Sequence, residues 1–118
     1  LSKSKTITVI LGSGPYTRER PYTALRFALT CAVEGINVNL FLIEDGIYVA
    51  KKDQNPSEYA NVHEWLMKAL NEGVKVKLCS ICAKARGLKQ EEVVNGVEMA
   101  TMSDLVEWVL ESDQTIFF

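Results

Sequence analysis

The feature that most constrains this chain is an alternation of two periodicities. Five short apolar or β-branched runs are separated by stretches with helical spacing. "TITVIL" (6–11), "INVNLFLI" (36–43), "VKVKL" (74–78), "GVEMA" (96–100) and "QTIFF" (114–118) read as strands. Helices are predicted between them, over about 20–34, 55–72, 80–86 and 101–111. Strands separated by helices form right-handed βαβ units and a parallel sheet. The predicted fold class is therefore α/β: a single domain over 1–118 with three layers and a five-stranded, mainly parallel sheet. The flavodoxin-like strand order 2-1-3-4-5 is the expected one. It places a ligand crevice outside the carboxyl ends of the first and third strands.

Local signals fill in this frame. Pro21 suits the first turn of the first helix, and Gly35 suits its end. Asn55, Pro56 and Glu58 read as the cap, first-turn proline and acid of the second helix. Its stripe is Tyr59, Val62, Leu66 and Leu70, with Gly73 at the end. A short helical turn is expected near 47–50. Asn37 and Asn39 alternate with apolar neighbours, as on an edge strand. Lys75 and Lys77 fit less well on a central strand. Either their face is only partly covered, or a neighbouring subunit covers it.

Composition removes several function classes. The chain has 118 residues, enough to bury about 65% of its unfolded surface. Net charge is -2 and Lys and Arg form no large cluster, so direct nucleic-acid binding is not expected. Apolar runs are strand-length, so no membrane span is expected. No signal-peptide pattern is present, and three cysteines is an odd count. Reduced thiols and a cytoplasmic location are the expectation.

Chemistry concentrates in "LCSICAKARG" (78–87), where Cys79 and Cys82 are three residues apart. Structural zinc needs four ligands, usually as two close pairs. Here the remaining candidates are Cys31 and His63, each in the middle of a separate predicted helix. A thioredoxin-type dithiol has the right spacing in the wrong connectivity. A single nucleophile is a third reading. Cys79 would begin a helix, where free N–H groups and the helix dipole favour an anionic sulfur. Plain packing of a small buried hydrophobe is the fourth. Spacing alone leaves the last two level. Cys82 lies one turn on, facing roughly the same way. Lys77 shares a strand face with Cys79. Arg86, seven residues beyond Cys79, is too far along a helix to touch its sulfur. "GSGP" (12–15) ends the first strand. Pro15 lacks an N–H and so weakens any anion nest. A tight strand exit is the better account, with Ser13 and Gly14 lining the thiol crevice.

The spacing from Cys79 to Arg86-Gly87 stands within "GVKVKLCSICAKARGL", followed by "GVEMATMSDLVEWV" and a final strand. "EDGIYVAKK" follows the second strand. In this order the segments resemble the DsrE/TusD family (DsrE/DsrF-like, YchN-like), over nearly the whole chain. The resemblance implies a flavodoxin-like domain assembled as a homotrimer or homohexamer. It also implies sulfur-relay chemistry, with sulfane sulfur held as persulfide or thiosulfonate on the cysteine matching Cys79. Sulfur-donor and sulfur-acceptor proteins would be the partners. On this reading Cys79 and Cys82 are the catalytic pair, and Ser13, Gly14 and Lys77 line the substrate site. No metal or organic cofactor is called for. Two other functions fit the sequence: a non-catalytic assembly subunit of a DsrE-type ring, and a small nucleotide- or flavin-binding module.

Overall fold

The computed structural model describes residues 4–16, 18–57 and 61–118. Five strands form one sheet: β1 (Thr6–Leu11), β2 (Asn37–Leu42), β3 (Lys75–Cys79), β4 (Val97–Ala100) and β5 (Gln114–Phe117). All four pairings are parallel. The helices are α1 (Arg20–Val33), α2 (Val62–Asn71), α3 (Ser80–Ala85) and α4 (Met102–Glu111), and a 3-10 helix covers Glu44–Ala50. The α/β class and the parallel sheet are as expected from the alternation.

The strand order is β4-β3-β2-β1-β5, not 2-1-3-4-5. Burial explains the difference. Every residue of β2 from Val38 to Leu42 is buried, so β2 occupies the centre and not an edge. Asn39 is tolerated there because its side-chain amide donates to Thr8 Oγ1 at 3.4 Å, sparing both groups an unpaired burial. β5, mostly exposed, takes the edge beside β1. The crevice expected between the first and third strands does not form, because β2 lies between them.

Alternate strand residues feed two cores. Val9, Leu40 and Leu78 pack with Leu25 of α1, Leu66 of α2 and Ala83 of α3. On the opposite face Phe41, Cys79 and Ala100 pack with Leu105 and Trp108 of α4. Phe41 is fully buried and meets Trp108 edge-to-face at 6.0 Å. Such burial contributes about 1.5–3 kcal/mol, with roughly 0.5–1.5 more from the ring geometry. Among the described helices, α4 is the one whose buried face packs on this second side. On this face Lys75 is exposed, and Lys77 lays its ammonium 4.7 Å above the Trp108 ring. Their face is partly covered.

The second helix begins later than its sequence indicates. Asn55 and Pro56 lie outside any helix, and Asn61 is the cap, accepting from Glu64 N–H at 3.2 Å. Glu58 and Tyr59 fall outside the described residues. The preceding segment is held elsewhere. The Gln54 amide donates to the carbonyls of Tyr48, Val49 and Lys51, and Lys52 N–H donates to Glu92 O at 2.7 Å.

Candidate functional site

The exits of β1, β2 and β3 lead to elements on the α1–α3 side, and β4 leads to α4 on the other. Adjacent exits therefore part between β3 and β4, where Cys79 is in register with Ala100. Crevices in open parallel sheets form at such points.

Cys79 is the last residue of β3 and the N-cap of α3. Its sulfur accepts the Cys82 N–H at 3.3 Å, taking the capping role that serine or aspartate usually fills. Side-chain alternation along β3 puts Cys79 on the α4 face, where it is 6% exposed. Cys82 is half-buried and packs against both cores. Its sulfur accepts the Glu44 N–H at 3.1 Å. Burial, and then the hydrogen bond to Cys79, push the Cys82 thiol up; the Glu44 amide and the Arg86 charge pull it down.

The Glu44–Asp45 turn holds this arrangement. Glu44 adopts φ 50, which aims its amide at α3. Gly46 lies directly on the end of β1: a Cβ there would stand 2.1 Å from Leu11 O, so only glycine allows the approach. From the C-cap of α3, Arg86 Nε donates to Asp45 Oδ1 at 3.0 Å, and its Nη1 donates to Cys82 O at 3.3 Å. The carboxylate raises the Arg86 pKa further.

Of the residues singled out in the sequence, the fold brings Cys79 and Cys82 together. Lys77 shares their strand face but is engaged with Trp108. Gly14, next to Ser13 in the loop after β1, lies against the Glu44–Asp45 turn, where a Cβ on it would meet Asp45 Cβ at 3.2 Å. Arg86 does not touch Cys79 and instead ties α3 to Asp45. Cys31 belongs to the opposite core from Cys79, and burial and Glu34 push its thiol up. Among the described residues, no three His, Cys, Asp or Glu side chains converge as metal ligands. Glu44 and Asp45 are the contributors that sequence reasoning missed. Their one visible signal was an acidic pair directly after a buried strand.

Paired free thiols at the parting of strand exits define a small thiol-bearing α/β domain of parallel topology. The chain belongs to the DsrE/DsrF-like family, which matches residues 5–118. It is 56% identical over 112 residues to an uncharacterized protein of Methanopyrus kandleri, covering 95% of this chain and 93% of that one. It is 30% identical over 114 residues to protein YchN of Escherichia coli, covering 95% and 97%. The crystal structure of YchN superposes with a TM-score of 0.90 at 30% identity, covering 98% of this chain and 100% of that one. Among the described residues, no helix is long and apolar enough to cross a membrane.

Proposed function

We propose that this protein is a sulfur carrier that holds sulfane sulfur on Cys79 and passes it to an acceptor thiol. The observation that carries this reading is the Cys82 N–H donating to the Cys79 sulfur at 3.3 Å, where β3 ends and α3 begins. A backbone N–H at a sulfur supports the negative charge through which thiol exchange proceeds. The Cys79 thiolate attacks the outer sulfur of a donor persulfide. The donor's S–S bond breaks, the donor leaves as a thiolate, and Cys79 carries the persulfide. An acceptor thiolate then attacks that outer sulfur, and Cys79 leaves as thiolate. Electrons balance without an external oxidant. Membership of the DsrE/DsrF-like family is consistent with this role.

Cys82 has a supporting part. Its backbone N–H meets the Cys79 sulfur, and the Glu44 amide holds its own sulfur in place. Free thiols of this kind fit the reducing cytoplasm, where we place the protein. Assembly as a trimer or hexamer belongs to the same proposal. Met102, Val106 and Leu110 of α4 are exposed apolar side chains on the thinly covered side of the sheet.

The test is intact-mass spectrometry after anaerobic incubation with cysteine persulfide. The wild type should gain one sulfur, about 32 Da. Cys79→Ser should gain none, and Cys82→Ser should load at reduced yield. Loss in Cys82→Ser alone would reverse the roles. Normal loading of both variants would sink the carrier reading in favour of an assembly subunit.

A further inference from the structure

A cavity of about 430 Å³ opens at the carboxyl edge of the sheet, between the loop after β1 and the segment following β2. Its walls include Gly14, Tyr16, Asp45, Tyr48, Lys51 and Gln54. The volume falls within the ~300–1,000 Å³ of small-molecule sites.

The walls are already fixed. Tyr16 donates its hydroxyl to Gln54 Oε1 at 2.6 Å, joining the two sides. The Gln54 amide nitrogen is committed to the carbonyls of Tyr48, Val49 and Lys51. Asp45 is neutralised by Arg86 at 3.0 Å. Lys51 then supplies the cationic group of the lining, and Tyr16 and Tyr48 supply two phenol rings. Strain concentrates here as well. Among the described residues, the non-glycine residues with left-handed backbone are Tyr16, Glu44 and Asp53, at φ 73, 50 and 64. Tyr16 is in the wall, and the other two directly precede Asp45 and Gln54. Held strain of this kind gathers at ligand sites.

We propose that this cavity binds a small planar anion, its ring against Tyr16 and Tyr48 and its charge on Lys51. Pro15 leaves the neighbouring loop short of an N–H donor, so Lys51 rather than a backbone nest meets the anion. Aromatic carboxylates and mononucleotides share this chemistry. The site does not depend on the sulfur-carrier reading, although Asp45 places it one residue from the amide that contacts Cys82.

Calorimetric titration of the full chain with 2-naphthoate and, separately, with AMP tests the site. At least one probe should saturate at one per chain. Lys51→Met and Tyr16→Ala should each weaken binding about tenfold or more, the scale of one lost charged or stacked contact. Tyr16→Phe, which keeps the ring, should retain binding, and Leu110→Asp on α4 should leave it unchanged. Naphthoate binding alone identifies an aromatic carboxylate; AMP binding with the same sensitivities identifies a mononucleotide. Melting curves monitor folding of Tyr16→Ala, and Lys51→Met carries the test if that variant unfolds. No saturable binding of either probe overturns the site, as does binding indifferent to Lys51→Met.

Discussion

Gly46→Ala should destabilise the protein by about 2–4 kcal/mol and disturb the thiol pair. A methyl group at position 46 would stand 2.1 Å from Leu11 O, 2.9 Å from Leu11 C and 3.4 Å from Gly12 Cα. A carbon approaching a carbonyl oxygen rests near ~3.3 Å or beyond, so the turn must retreat by more than ~1 Å. The obstruction is backbone at the end of a central pairing, where Leu11 is fully buried and in register with Leu42. Leu11 O also accepts the Ile43 N–H at 2.9 Å. Overpacking costs roughly 1–3 kcal/mol, and losing that hydrogen bond costs about 0.5–1.5 more. With a urea m-value near ~2 kcal/mol/M, the midpoint should fall by ~1–2 M. Gly35→Ala is the control. It has open space within 4 Å but φ +88, so only the backbone penalty of about 1–2 kcal/mol applies. An unchanged midpoint in Gly46→Ala, or a greater loss in Gly35→Ala, would refute the reasoning.

Brief iodoacetamide treatment at neutral pH should label the peptide containing Cys79 and Cys82 before Cys31, which lies on a helix face with its thiol pushed up by burial and Glu34. Peptide mapping that finds Cys31 first would count against the site. Cys31 and Cys82 both have raised folded-state pKa values. Their contribution to stability is therefore fully present below the unfolded thiol pKa of ~8.5 and is lost as pH rises through the folded values. Melting under reductant should show a decline above that pH that is shallower in Cys82→Ala; identical slopes would contradict it. Light scattering should give a mass above 13.2 kDa, lowered by Leu110→Asp. A monomeric wild type would remove α4 as the contact face.

All five strands were legible in the sequence because apolar or β-branched runs bounded by glycine or polar residues carry their own signal. Their order was not. Asn37 and Asn39 look like an edge, and only the partnership of Asn39 with Thr8, from another strand, makes the centre tolerable. The start of α2 was misplaced for a similar reason. Asn55-Pro56 has sound local chemistry, but just before it Gln54 ties back to the carbonyls of Tyr48, Val49 and Lys51, and Lys52 binds the distant Glu92 carbonyl. In the site, Cys79 and Cys82 announced themselves by spacing. Glu44 and Asp45 lie 38 and 41 positions from their α3 partners, beyond the reach of any local pattern.

The pairing of β5 with β1 has a consequence for how the molecule is made. Thr6 N–H donates to Asp113 Oδ2 across 107 positions, so the first strand to be synthesised waits for the fifth. Until then β1 presents an open row of amides and carbonyls, a template for pairing with other chains. Closing so long a loop is slow compared with forming the β1–β2 and β2–β3 crossovers. Pulse-labelling hydrogen exchange during refolding should find the amides of β5 protected after those of β2, and simultaneous protection would contradict this order. A nascent chain of this protein therefore passes through a vulnerable interval in which its thiol turn, built from β2, β3 and α3, can already exist while the sheet beside it is still unsealed.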